Sequence, residues 1–525
     1  MNQSPTADAV PVPPRHPKGL WVLVLTETWE RMSHYGMRAI LILYLTAPVA
    51  VGGLGLDTGR AAAIMGGYLF SIYLFALSGG QIADRFLGAK RTIVVGGIFI
   101  AAGQFGLQIH DVNALIGSLV VIAVGTCLMK PNISASIGRL YTKEDPRRDG
   151  AFTIEYSAMN FGAFVAPLIC GFMAENPRFL GVLSAIGLTS KAGWGWAFGV
   201  TGVGMLVGLL NFVLRRRLVR DVSLADGQTE PGTQSIPFVV GLIAVLLAMA
   251  TMVIWAQSVK VQLLGGVGAS FLAMGGVQFL ISRGIVKARA VDAPTAAGAA
   301  PDEPTKLTRE DWTRMGVVGM MLCFSIIFWA VYQQAGSTLT IFARDYTDRV
   351  VLGWSIPASW FQSVNAVLIV MLGPVFAWIW TRRGGKWPSS PEKFALGLLF
   401  VAAGFLLLVP ASRMAQAVPG QIVPVGVGWL SGVYLLHTIG ELCLSPVGLS
   451  YVSRLAPRQI TSQLMGTWFF SIGVGSWVAG RAAGLMESMS LASLFGIFAA
   501  VAVAAAMVLL LVVNPIIRRL MGGHS

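Results

Sequence analysis

Glu27, Glu30, Arg31, His34, Tyr35 and Arg38 interrupt the first long apolar run of this chain at offsets of 0, 3, 4, 7, 8 and 11. At about 100° per residue they fall within one arc of roughly 140° of an α-helix. One face of that helix is polar and must look at water or protein. Its signs mix, so Glu27, Glu30 and Arg31 can neutralise one another when dry and exchange a proton when wet, which is the chemistry of a proton relay. A second such face holds Tyr434, His437, Thr438, Glu441 and Ser445, where Glu441 is the sole acid in its run and needs a cation as partner at some stage. Lys130, followed at once by Pro131, is the sole Lys inside an apolar run, and a Lys130 to Glu441 contact would bridge the two halves of the chain. Trp329, Tyr332, Gln333, Gly336, Ser337 and Thr340 share a third face that carries aromatic and amide groups but no charge. Asn160 and Asn365 offer amides to a ligand that has amides of its own, or to a neighbouring helix. Glu155 sits five residues before Asn160 and so points about 140° away from it, with Lys130 as one conceivable partner.

What positions these groups is a membrane. Of the 525 residues 55% are hydrophobic and 12% are Asp, Glu, Lys or Arg, about half the ~25% charge content of a soluble domain. Soluble globular, disordered, collagen-like and nucleic-acid-binding classes are excluded. A helix needs ~20 largely apolar residues to cross a bilayer, and the pattern predicts fourteen spans: 20–48, 60–84, 89–109, 113–138, 150–174, 193–217, 236–256, 261–283, 312–343, 354–381, 391–411, 425–454, 462–485 and 490–517. Twenty-seven of the 38 Lys and Arg residues then fall on the side of the termini, eight on the other, and Arg31, Arg38 and Lys130 inside spans. The net charge of +14 thus reports topology, with both termini expected in the cytoplasm. Cys127, Cys170, Cys323 and Cys443 stand singly in apolar runs, so neither a disulfide framework nor a metal site is expected. The polar, Pro-rich start gives no sign of a cleaved signal peptide.

The polar stretch from Ala288 to Arg309 reads as a cytoplasmic linker. The expected organisation is a cytoplasmic tail at 1–19, a six-helix bundle at 20–220, a two-helix insert with its linker at 221–310, and a second six-helix bundle at 311–525. Such an arrangement suggests a site between the bundles at mid-membrane. After the second span, Gly80 to Arg91 (Gly-Gln-Ile-Ala-Asp-Arg-Phe-Leu-Gly-Ala-Lys-Arg) resembles the G-x-L-A-D-R-x-G-R-R-R loop of the major facilitator superfamily. Asp84, Arg85 and the basic residues beside them could form ion pairs that break and re-form as the bundles rock. The expected fold class is an all-α membrane protein of the major facilitator fold, with 14 helices in a 6+2+6 arrangement around a central cavity.

Glu27-Thr28-Trp29-Glu30-Arg31-Met32-Ser33-His34-Tyr35 resembles the E-x-x-E-R-F-x-Y-Y signature of proton-dependent oligopeptide transporters, a branch of that superfamily. Leu128 to Asn132, Phe152 to Gly162, Phe361 to Asn365 and Gly440 to Pro446 agree with it, so that the resemblance runs from about residue 20 to 517. It implies a bacterial inner-membrane carrier that couples inward proton flow to uptake of di- and tripeptides. It also implies roles: proton coupling at Glu27, Glu30 and Arg31; Arg38, with Arg31 and Lys130, on the peptide carboxylate; Glu441 on its ammonium; and Tyr35, Tyr73, Asn160, Gln333, Asn365 and Trp468 lining the pocket. Lys130 with Glu441, and Asp84 with Arg85, would gate. His34 departs from the signature and could add a titrating group or merely shift substrate preference. Gln333 stands where the seventh core span usually has Glu, so an ion-pair outer gate with Arg38 cannot form and a hydrogen bond must replace it, or the gate is looser. Protons are the expected coupling ion, with no cofactor and no catalytic residue. Peptides and lipid are the expected partners, without nucleic acid or an obligate protein partner, and the chain is expected to be monomeric. The rival reading is a major facilitator exporter or antiporter of drugs or anions. An intramembrane hydrolase using Ser337, His437 and Ser445 lacks a G-x-S-x-G setting.

Overall fold

The computed structural model describes residues 15–83, 87–142, 145–189, 191–219, parts of 240–254, 308–382, 388–457 and 461–520. Six long helices precede residue 220: α1 (Lys18–Thr46), α2 (Thr58–Ile82), α3 (Ala89–Gly106), α4 (Val112–Gly138), α5 (Arg147–Glu175) and α6 (Ala192–Arg215). Six follow residue 308: α7 (Arg309–Tyr332), α8 (Phe361–Thr381), α9 (Ser390–Ala415), α10 (Val427–Leu455), α11 (Thr461–Ala483) and α12 (Leu491–Val508). The expected two-helix insert and linker lie almost wholly outside the described residues, as do Asp84 and Arg85.

Long apolar runs become helices because only a helix satisfies every backbone N–H and C=O without water. Polar residues at the ends fix where they start. Asp57 accepts from the Arg60 amide at 2.6 Å to begin α2, and Asp111 accepts from the Ala114 amide at 2.8 Å to begin α4. Thr308 and Asp311 form a reciprocal capping box at the start of α7, and the Thr308 amide holds the exposed Asp311 carboxyl below the usual carboxylate range. Among the described residues nine helical stretches are long and apolar enough to span a bilayer; α1, with its charged face, is not one of them.

Glycines set how closely the helices cross. A Cβ built on Gly96 of α3 would stand 2.7 Å from the Gly125 oxygen of α4, and one on Gly208 of α6 would stand 2.8 Å from the Trp29 Cβ of α1. Polar side chains seal the same crossings: Asn211 of α6 donates to Val22 O at 3.1 Å and to Thr26 Oγ1 at 2.9 Å. Side chains such as Leu214 and Met371 stay exposed on the periphery, where lipid is their natural solvent.

The two six-helix units meet chiefly along α2 with α11 and α5 with α8. Among the described residues, the hydrogen bonds that cross between the units lie in the half remote from the termini. Glu175, at the end of α5, accepts from the Ala358 and Ser359 amides at 2.8 and 3.2 Å and from Ser359 Oγ at 2.6 Å, just before α8. Arg349 stands 3.8 Å from the same carboxylate. Arg344 donates to Thr46 Oγ1 at 2.7 Å, Ser363 to the Phe164 oxygen at 2.7 Å, and the Gly59 amide to Glu487 at 3.3 Å. The described hydrogen bonds thus latch the units on that side.

Candidate functional site

The charged face of α1 turns toward this interior and splits into two levels. At the level nearer the termini, Arg31 grips the carboxylate of its neighbour Glu30 in a two-point ion pair, and both are buried. Glu27, one turn earlier, is 2% exposed, and its Oε2 has no hydrogen-bond donor. Glu155 of α5 faces it, also buried, with Ser134 of α4 donating to Glu155 Oε1 at 2.6 Å. Half-buried Lys130, from α4, lies within Coulomb reach of Arg31, Glu30, Glu27 and Glu155. Three acids and two bases therefore share one pocket beside the opening between the units.

Further along α1, His34 is buried, its Nδ1 3.3 Å from the Tyr68 hydroxyl and its ring edge-on to Tyr35. It is walled in by α2 instead of facing the opening. Arg38 reaches across and donates to the side-chain oxygen of Gln333, whose Nε2 in turn donates to Ser476 Oγ of α11 at 3.1 Å. The hydrogen bond that the missing Glu demanded is present.

The second unit contributes the opposite sign. Glu441 of α10 is held by the Tyr332 hydroxyl at 2.5 Å and by Asn365 Nδ2 at 3.0 Å, and Asn365 also donates to Thr438 Oγ1 at 3.0 Å. Arg38 is within electrostatic reach of Glu441, and Tyr73 of α2 is within reach of Tyr35, Arg31, Arg38 and Glu441 alike. Arg38 and Glu441 thus look into one compartment. The Lys130 to Glu441 ion pair is not made: Glu441 is engaged by Tyr332 and Asn365, and the charges near Lys130 are those of the α1 and α5 cluster. A gate on the side of the termini would need the bundles to approach there, whereas the described hydrogen bonds between them lie on the other side.

Asn160 bonds back to the Tyr156 oxygen at 2.9 Å, and Tyr156 is half exposed, within reach of Glu441 and Tyr35. Tyr156 is a lining residue that sequence reasoning passed over, although it stands in the same Phe152 to Gly162 stretch. Trp468 is not brought into the opening. It is 3% exposed and packs over Gly448, where a Cβ would meet its ring at 2.0 Å, with Phe394 edge-on at 6.0 Å. Glu175 escaped notice for want of a signal, since a lone acid at a helix end is common and its partners are 183 and 184 residues away.

One vestibule therefore offers cations from the first unit and an acid from the second, with amide and phenol groups between. It can clamp the two ends of a zwitterion, and the buried acids beside it can take and give a proton. The family model described as the POT family matches residues 90–501. The peptide transporter YePEPT of Yersinia enterocolitica is 36% identical over 523 residues, which cover 96% of this chain and 95% of that protein. The di-/tripeptide transporter of Lactococcus lactis subsp. cremoris is 30% identical over 516 residues, covering 96% and 97%. The crystal structure of a peptide transporter POT in complex with sulfate matches with a TM-score of 0.74 at 33% identity, over 97% of each chain. The likeness spans both six-helix units, and the architecture is the all-α major facilitator fold. The chain belongs to the POT family.

Proposed function

We propose that this protein is a proton-coupled symporter that imports di- and tripeptides by alternating access. The observation that carries this reading is the juxtaposition of Arg38 and Glu441, groups of opposite sign on different six-helix units that face one compartment. Arg38, with Arg31 and Lys130, receives the peptide carboxylate, and Glu441 receives its ammonium. Tyr35, Tyr73, Asn160, Gln333 and Asn365 hydrogen-bond the backbone between. Clamping the ends leaves the variable side chains to wet, apolar surroundings, which gives promiscuity with a length limit. Glu27, Glu30 and Arg31 carry the proton step, and His34 modifies it.

The peptide transporters named among its relatives support this reading. The excess of Lys and Arg on the side of the termini supports cytoplasmic termini in a bacterial inner membrane. On that assignment the latched side is periplasmic and the vestibule opens inward. The units act as a six-helix bundle at 20–220 and another at 311–525, joined by the insert at 221–310, in a monomer. The inner gate pairs Lys130 with Glu441 in the alternate state, aided by Asp84 and Arg85. One charge moved through 100 mV is worth ~2.3 kcal/mol, roughly a fifty-fold gradient for a neutral peptide carried with one proton.

The test is uptake of labelled dialanine into proteoliposomes with and without an imposed pH gradient. Glu30→Gln should abolish uphill uptake and spare counterflow, and unchanged uphill uptake would refute the relay. Competition by dialanine but not by free alanine separates a peptide carrier from an exporter of drugs or anions.

A further inference from the structure

Glu155 has no place in the roles above, yet its surroundings are unusual. It and Glu27 are both more than nine-tenths buried, on different helices, with their carboxyl groups facing. Only Ser134 donates to Glu155 among the described residues, and Glu27 Oε2 has no donor. The groups around the pair are few. From α1 come Glu30 and Arg31, with His34 beyond Arg31; from α4 come Lys130 and Ser134. The α6 helix, which packs on α1 and α5, has no ionisable side chain before Arg215.

Charge balance then dictates a proton. Glu27, Glu30 and Glu155 against Arg31 and Lys130 leave one uncompensated negative charge when all are ionised. A net charge in so dry a pocket is costly, and two adjoining carboxylates resist ionising together. Arg31 cannot relieve the pair, because Glu30 occupies it at two points. We propose that Glu27 and Glu155 hold one proton between them and that Lys130, through its bond to the peptide carboxylate, ties the retention of that proton to substrate occupancy.

The sign of this coupling is that of symport. A peptide carboxylate at Lys130 cancels the positive field that favours the ionised pair, so the loaded carrier keeps its proton. When the peptide leaves, the field returns and the proton passes from a carboxyl oxygen to water in the vestibule. By linkage, a proton on the pair strengthens peptide binding by the same factor. Glu155 is here a proton-holding residue that touches no substrate.

This inference rests on the symport reading, and the experiment separates the two. Wild-type proteoliposomes that fail to concentrate dialanine on a pH gradient would overturn the symport reading itself. If the wild type does so, Glu155→Gln leaves the pocket neutral without a proton. Uphill accumulation should then fall at least ~10-fold, counterflow should stay within ~2-fold, and the pH dependence of dialanine affinity should flatten. Glu155→Asp should retain uphill uptake. Uphill uptake and a pH profile like the wild type's in Glu155→Gln would overturn the proposal. A second readout needs no variant that might misfold: wild-type protein in weakly buffered detergent solution should take up protons when dialanine binds, and an absence of uptake at every pH from about 5 to 9 would equally overturn it.

Discussion

Arg38 on α1 and Gln333 at the end of α7 are joined by a hydrogen bond that spans the two six-helix units through a neutral amide. The acceptor is an amide and has no charge to lose. This link therefore contains no titrating acceptor.

Replacing that amide by a carboxylate should tighten the latch. The carboxylate adds Coulombic attraction to a hydrogen bond whose donor is already charged, and after its own desolvation cost this is worth about 1–2 kcal/mol, or a factor of 5–30 in the population of the latched form. Gln333→Glu should slow dialanine uptake near neutral pH, and acidification of the outside should restore it. Uptake that is unchanged across pH would show that the Arg38 contact does not limit opening.

Glu175 acts as a cap supplied by one unit to the chain start of α8 in the other. Removing a capping side chain typically costs ~1 kcal/mol. Glu175→Ala should therefore increase the fraction open on the side remote from the termini several-fold. Spin-label distances between the ends of α5 and α8 should report it as a growing long-distance component.

The crossing of α2 with α11 has no room for a methyl group. A Cβ on Gly480 would lie 2.5 Å from the Ala62 oxygen, and one on Gly66 would lie 2.9 Å from the Ser476 oxygen. Overpacking of this kind costs ~1–3 kcal/mol. Gly480→Ala should lower the yield of a cysteine cross-link between positions 59 and 484 without unfolding either unit, and thermal melting in detergent provides the control.

Glu441 is predicted to read the amino end of the substrate. Glu441→Gln keeps an acceptor for Tyr332 but removes the charge, so dialanine should compete at least ~10-fold more weakly. N-acetyl-dialanine, which brings no ammonium, should bind the variant and the wild type about equally. Equal losses for both would assign Glu441 a structural role.

The sequence made legible what rests on periodicity. Glu27, Glu30, Arg31 and Arg38 share a face because helical geometry leaves no alternative, and α1 presents that face to the interior. The need for a substitute at Gln333 was legible too, since Arg38 had lost its expected partner. The Lys130 to Glu441 contact was not, because an alternating carrier keeps different pairs at different stages and composition does not say which stage is at hand. Glu155 was placed on the far side of α5 from Asn160, and its meeting with Glu27 depends on the crossing of α1 and α5. There a Cβ on Gly162 would come within 2.8 Å of the Thr28 oxygen. Pattern reading reports angles around one axis; it does not report how near two axes come.

The carboxylate of Glu441 already has company in Tyr332 and Asn365. On the proposed reading, an arriving amine exchanges with a phenol and an amide instead of filling an empty seat, and the departing guest leaves nothing stranded behind it. That exchange lowers the net affinity, so the cradle favours throughput over tenacity.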